Sequence, residues 1–217
     1  MPTTDLISPF VVSCAGGLTL NKDVFSMAPG EALILQNFEP DIKGGYRRVG
    51  GTALYNTTIV PEGSTHSGKT IDCSIVFNGQ IIVARGGDIH RGTTSGSWTS
   101  LTTSLGTALR SYDFEKFNFD GTDKIIIATG HSPAQIINSS FAVDVVNATG
   151  GGTAPTNPKF VKVFQNHMFY AGATNSQEVI FSVPFAEDNF TTGSGAGSFK
   201  VDSAVVGLKV FRNELII

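Results

Sequence analysis

"SIVFNGQIIVARG", residues 74–86, is an alternating run that ends in phenylalanine, turns on Asn78-Gly79, and leaves as a second apolar run closed by small residues. Asn-Gly between two such runs is a β-hairpin signal, because a two-residue type I′ turn needs positive φ at both central positions. The pattern returns as "KFNFDGTDKIIIATG" (116–130), "VKVFQNHMFYAG" (161–172) and "LKVFRNELII" (208–217). Asp120-Gly121 reads as a second type I′ signal inside a longer turn. Gln165-Asn166 and Arg212-Asn213 read as weaker versions of the same corner.

The marker phenylalanines Phe77, Phe119, Phe164 and Phe211 are 42, 45 and 47 residues apart. Each interval has room for two further strands: "EVIFSVPF" (178–185) and "SFKVD" (198–202) in the third unit, and segments near "DIHRGTT" and "SWTSLTT" in the first. Four strands at a period of 40 to 50 residues is the pattern of a β-propeller blade, and one such sheet must stack on its neighbours to cover both faces. The alternative is a sandwich or barrel with evenly spaced hairpins. "TGGGTAPTNPK" (149–159) then connects two blades, since Gly and Pro do not continue a central strand.

The expected fold is all-β and propeller-like, with four-stranded antiparallel blades over residues 61–217. An extended N-terminal segment with a hairpin precedes them over residues 1–60. "EALILQNF" (31–38) is the one stretch expected to turn as a helix, for about two turns. The units number about three and a half, short of the four to eight blades of a closed propeller. The last residues, "ELII", read as the middle of an apolar strand, so the polypeptide is expected to run on past Ile217 or to be covered by neighbouring subunits.

Composition supports this class. Of 217 residues, 25 are Gly and 16 Phe, and only 15% are charged, below the usual quarter. The formal net charge of −3 and a pI near 5.8 argue against a dedicated nucleic-acid binder, which carries a basic stripe to displace counterions. They suit a conduit that lets DNA pass without gripping it. Cys14 and Cys73 make no disulfide framework and read as free thiols. No run reaches the roughly 20 apolar residues of a membrane-spanning helix. "VVSC", ending at Cys14, looks like a lipoprotein cleavage box, but Asp5 is acidic, no Lys or Arg precedes Lys22, and Pro9 splits the apolar run.

Catalytic motifs fail on context. "GSTHSGKT" (63–70) matches the P-loop pattern, with Lys69 for the phosphates and Thr70 for magnesium. A P-loop must open into a helix, whereas "IDCSIVFNGQ" follows and is β-branched. His66, His90, His131 and His167 are far apart with no metal-ligand spacing. No G-x-S-x-G elbow appears, and "TTSGSW", ending at Trp98, lacks the Asp and spacing of a sialidase box. The sequons at Asn56 and Asn147 are expected by chance in an Asn/Thr-rich chain. The reading is a non-enzyme without cofactor or metal.

The remaining stretch, "GGLTLNKDVFSMAPGEALILQNFEPDIKGGYRRVGG" (16–51), resembles the N-terminal signature of tail tube or nozzle proteins of short-tailed bacteriophages. The matching positions are Gly16-Gly17-Leu18, Pro29-Gly30-Glu31, Asn37 and Gly44-Gly45-Tyr46-Arg47-Arg48-Val49-Gly50. "APTNPKFVKVFQNHMFYAG" and "FSVPFAEDNFT" extend the resemblance, with His167 standing where an Arg is expected after the Asn turn. The resemblance implies a β-propeller subunit of a homohexameric virion tail tube, assembled in the host cytoplasm. Its partners would be a tail adaptor and tail fibre or spike proteins, and its channel would retain the genome and release it into the host without sequence-specific DNA binding or membrane insertion. Gly45, Tyr46, Arg47, Arg48 and Gly50 are the assembly candidates. Successive strand residues point to opposite faces, so the two arginines cannot grip one ligand, and at least one is expected to form a structural or inter-subunit ion pair. A carbohydrate-binding or glycan-processing propeller is the alternative function, and a P-loop NTPase the third.

Overall fold

The computed structural model describes residues 16–40, 45–51, 53–63, 70–102, 105 and 112–217, and the chain divides into two compact units, Met1–Leu54 and Tyr55–Ile217. Both are built from strands, with two single-turn 3-10 helices at Val24–Ser26 and Thr192–Ser194 among the described residues.

In the first unit β1 (Gly17–Leu18) pairs in parallel with β2 (Glu31–Ala32), and β3 (Phe38–Pro40) pairs antiparallel with β4 (Tyr46–Arg48). The helix expected over residues 31–38 does not form. Pro29-Gly30 makes a reversal in which the Glu31 amide donates to the Ala28 carbonyl at 3.1 Å, with Gly30 at φ 93°. This is the Pro-Gly chemistry of a type II turn. It delivers Glu31 and Ala32 to the edge of β1, and Asn37 at φ 62° then turns the chain out of any helical path. Local propensity lost to strand pairing.

The second unit holds three four-stranded antiparallel sheets, each made in chain order. Sheet I comprises β5 (Cys73–Phe77), β6 (Gln80–Arg85), β7 (Asp88–Gly92) and β8 (Thr99–Thr102). Sheet II comprises β9 (Asp113–Phe117), β10 (Lys124–Ala128), β11 (Gln135–Ile137) and β12 (Val143–Val145). Sheet III comprises β13 (Phe160–Phe164), β14 (His167–Ala171), β15 (Glu178–Phe181) and β16 (Gly197–Lys200). A further hairpin, β17 (Lys209–Phe211) with β18 (Glu214–Ile216), follows.

Among the described residues four corners are two-residue turns with both residues left-handed: Asn78-Gly79 at φ 45° and 71°, Gly86-Gly87 at 61° and 92°, Gln165-Asn166 at 45° and 65°, and Arg212-Asn213 at 49° and 63°. The two read as weaker are therefore as regular as Asn-Gly. Asp120-Gly121 is not such a turn. The pairing Phe117↔Lys124 leaves residues 118–123 as a wide loop, in which the Asp120 carboxylate accepts from the Thr122 amide at 3.0 Å and pairs with Lys124. The strand-ending phenylalanine of sheet II is consequently Phe117; Phe119 lies in the loop and packs against it, ring centres 5.1 Å apart.

The free space around Gly79 isolates one effect. A side chain there would meet nothing within 4 Å, so its cost is purely conformational. Gly79→Val is expected to destabilise by roughly 1 kcal/mol or more, since a β-branched residue resists positive φ. An unchanged melting temperature would contradict the type I′ turn.

Alternation along the strands builds the core. On β10 and β11, Ile125, Ile127 and Ile137 pack with Phe77, Ile82, Ala84 and Ile89 of sheet I. The intervening Ile126, Ala128 and Ile136 pack with Val161, Met168 and Tyr170 of sheet III. Both faces of sheet II are covered, which explains why "IIIA" (125–128) is apolar without interruption. A smaller cluster of Ala171, Val179, Val205 and Leu208 lies on the other face of sheet III. The first strands of successive sheets, β5, β9, β13 and β17, are neighbours in that order.

The connection 149–159 does link sheets II and III, and it is anchored. The Phe190 amide donates to the Gly151 carbonyl at 2.8 Å, and Gly152 bridges Phe190.

Candidate functional site

Four of the five assembly candidates lie on or at the start of β4 in the hairpin β3–β4, and Gly50 follows it. Gly45 enters it at φ 88°, a conformation open to glycine. Tyr46 is half-buried with its hydroxyl lying against Gly17, and that oxygen has no hydrogen-bond partner among the described residues. Arg47 lies opposite Glu39, and its Nε donates to the carboxylate at 2.7 Å. Arg48 lies opposite Phe38 and lines a shallow recess of about 480 Å³ with Asn37, Val49, Gly50 and Gly51. The two arginines are thus separated as strand alternation requires, and the ion pair of Arg47 is intramolecular.

Both partners of that pair are largely exposed, so solvent screens it. A double-mutant cycle on Arg47→Ala and Glu39→Ala is expected to return a coupling of about 0.2–1 kcal/mol. A larger value would place the pair in a dry environment.

The rest of the unit is unusual in what it leaves uncovered. Thr19 is the only buried residue among those described there. Phe25 is 97% exposed, Ile34 82% and Leu20 79%. Polar contacts hold the backbone instead. The Glu31 carboxylate accepts from Lys22 Nζ at 2.7 Å and from the Ala28 amide at 2.9 Å, and these two partners, Lys22 foremost, lower its pKa.

A second set of residues joins the sheets. Phe141 and Phe185 stand in the left-handed region, at φ 65° and 60°, a strained choice for a bulky side chain. Each precedes the last strand of its own sheet and reaches the hairpin of the preceding one. Phe141 meets Phe77 edge-on at 5.8 Å and lies under the Arg91 guanidinium at 4.6 Å; Phe185 meets Phe119 at 6.3 Å. Neither was singled out in the sequence, though the signal exists: Phe141-Ala142-Val143-Asp144 recurs as Phe185-Ala186-Glu187-Asp188. Beside them, the Asn78 side chain donates to the Ser139 carbonyl at 3.0 Å, and Lys124 pairs with Glu187 at 2.7 Å. Between first strands, the Asp113 carboxylate accepts from the Val161 amide at 2.9 Å and Glu115 accepts from Lys162. Burial pushes the Asp113 carboxyl above its ordinary range, against the opposing pull of the Val161 amide and Lys162.

A cleft of about 710 Å³ lies beside sheet III and is lined by Thr153, Asn175, Glu178, Phe181, Phe190 and Thr191 among others. Among the described residues no group of three His, Cys, Asp or Glu is placed to hold a metal ion. Cys73 is a free, half-buried thiol whose pKa burial raises. Cys14, His66 and Lys69 lie outside the described residues. Of the P-loop pattern, Gly63 abuts the Gly86 backbone and Thr70 leads into β5, a strand where phosphate binding needs a helix.

No family model, curated protein or solved structure matches this chain.

Proposed function

We propose that this chain is a structural subunit of a short-tailed bacteriophage tail, a tube or nozzle component. The three sheets would be consecutive blades of a propeller, and the subunits a homohexameric ring around the path of the genome. The observation that carries this reading is the first unit, which holds the Gly-Tyr-Arg-Arg hairpin and leaves Leu20, Phe25 and Ile34 exposed. An apolar surface of that density marks a protein–protein contact. It falls on the stretch whose motifs resemble tail nozzle proteins. Chain-order sheets with neighbouring first strands support the propeller reading, because blades are laid down that way around an axis. Arg48 would face a neighbouring subunit or the adaptor, and DNA would pass without sequence-specific contacts.

The test is a paired substitution, Phe25→Glu with Ile34→Glu. It is expected to dissolve rings visible by negative-stain microscopy while leaving the melting transition of the second unit unchanged. Rings that survive both charges would speak against this assembly surface.

The cleft beside sheet III favours a second reading, glycan binding, since it combines hydroxyl, amide and carboxylate groups with two aromatic rings. Glycan-array binding that disappears on Glu178→Ala would support it. An array without hits would remove it.

A further inference from the structure

The face of sheet I that points away from sheet II follows from its register. Val83 pairs with His90, Arg85 with Asp88, and Ile81 with Gly92, on the side opposite Ile82, Ala84 and Ile89. Residues 55–63 run along this side as a strap tied at successive points. Tyr55 Oη donates to the Gly92 carbonyl at 3.3 Å, and Asn56 Nδ2 to the carbonyls of Thr93 at 2.9 Å and Gly96 at 3.1 Å. Trp98 Nε1 donates to the Thr58 carbonyl at 2.8 Å. Arg85 donates to the Val60 carbonyl and pairs with Glu62 at 3.6 Å. Val60 is buried, and Gly63 lies so close to Gly86 that a Cβ would stand 2.0 Å from its carbonyl oxygen. Sheets II and III cover each other here with apolar side chains; sheet I is covered on this side by polar ties to backbone.

His90 sits on the covered face, 3% exposed, with no hydrogen-bond partner on either ring nitrogen among the described residues. A neutral imidazole tolerates this, whereas an imidazolium would need two acceptors and hydration. Among the described residues the charged groups on this face are Asp88 from its own strand, Arg85 from β6 and Glu62 from the strap. Glu62 is engaged with Arg85, whose buried guanidinium repels a second positive charge; Asp88 attracts it more strongly than Arg85 repels it, and burial outweighs Asp88.

We propose that the strap, residues 55–63, is an acid-released cover of sheet I, closed while His90 is neutral and opened by its protonation. Burial, with the neighbouring Arg85, lowers the His90 pKa in the closed state, and Asp88 only partly opposes this. The contribution to closure is therefore complete above the ordinary His value near ~6.5 and diminishes as pH falls below it. Each pH unit below that value favours the open form by up to about tenfold. Opening hydrates the ring and uncovers Val83 and Gly92, an apolar strip of sheet available to another β-segment.

The chain has one tryptophan, and its indole N–H is tied to the strap, so its fluorescence reports release directly. Between pH 8 and pH 5 the wild-type emission is expected to shift to the red as water replaces the Thr58 carbonyl, with far-UV circular dichroism unchanged. His90→Phe and His90→Gln are expected to retain one emission spectrum across the range. A flat wild-type profile, the same shift in both variants, or a shift accompanied by loss of the circular dichroism signal would each overturn the proposal.

Discussion

Ile126→Ala is expected to lower the unfolding free energy by about 2–5 kcal/mol, and Ile125→Ala by a comparable amount. The two are sequence neighbours on β10, so their side chains leave opposite faces of sheet II. Both are fully buried, Ile125 in the cluster with Phe77 and Ile82, Ile126 in the cluster with Met168 and Tyr170. A sheet with one wet face would give a large effect at one position and a change within about 0.5 kcal/mol at the other. Denaturant titration of the two variants therefore distinguishes a sheet packed on both sides from one with an exposed face. Two large losses are expected.

Gly152→Val is expected to cost about 3 kcal/mol or more, the sum of two mechanisms. Gly152 stands at φ 79°, which a β-branched residue resists, and its Cβ would lie 2.2 Å from the Phe190 carbonyl oxygen. Backbone cannot step aside as a flexible side chain would, so the connection between sheets II and III would have to leave its bridge to Phe190. Gly193→Ala is the control: no atom lies within 4 Å of its added Cβ and its φ is not positive, so its effect should stay within about 0.5 kcal/mol. A melting temperature for Gly152→Val close to that of Gly193→Ala would show that the connection is not anchored as described.

The hairpin framework was legible because Asn78-Gly79 and the alternating runs around it follow from backbone sterics alone. Gln165-Asn166 and Arg212-Asn213 make the same turn without glycine, since the two-residue register imposed by the flanking strands overrides the reluctance of Gln and Arg for positive φ. Asp120-Gly121 misled for the opposite reason. The Asp120 carboxylate binds locally to the Thr122 amide and Lys124, and a wider loop results. "EALILQNF" read as helical because its apolar spacing is ambiguous over eight residues; the partner that claims Glu31 and Ala32 is β1, more than ten residues earlier.

At the candidate site, the opposition of Arg47 and Arg48 was readable from strand alternation, but the ion pair with Glu39 depended on register across a loop. The joints at Phe141 and Phe185 escaped notice because their one sequence signal, the recurrence of Phe-Ala-x-Asp, does not by itself reveal a left-handed backbone. Their strain is offset in part by contacts from another sheet, with Phe77 and Arg91 at Phe141 and with Phe119 at Phe185. The strap 55–63 was invisible for a similar reason: its ties run mostly to backbone carbonyls of Gly92, Thr93 and Gly96, or from Trp98 and Arg85.

The proposed role rests on self-association through the first unit. Sedimentation velocity on the unmodified 217-residue chain tests it most directly. A dominant species near six times the 22.9 kDa chain mass is expected, collapsing to smaller species when Phe25 and Ile34 are both replaced by Glu. A monodisperse, cooperatively melting monomer that persists as concentration is raised would contradict the assembly reading.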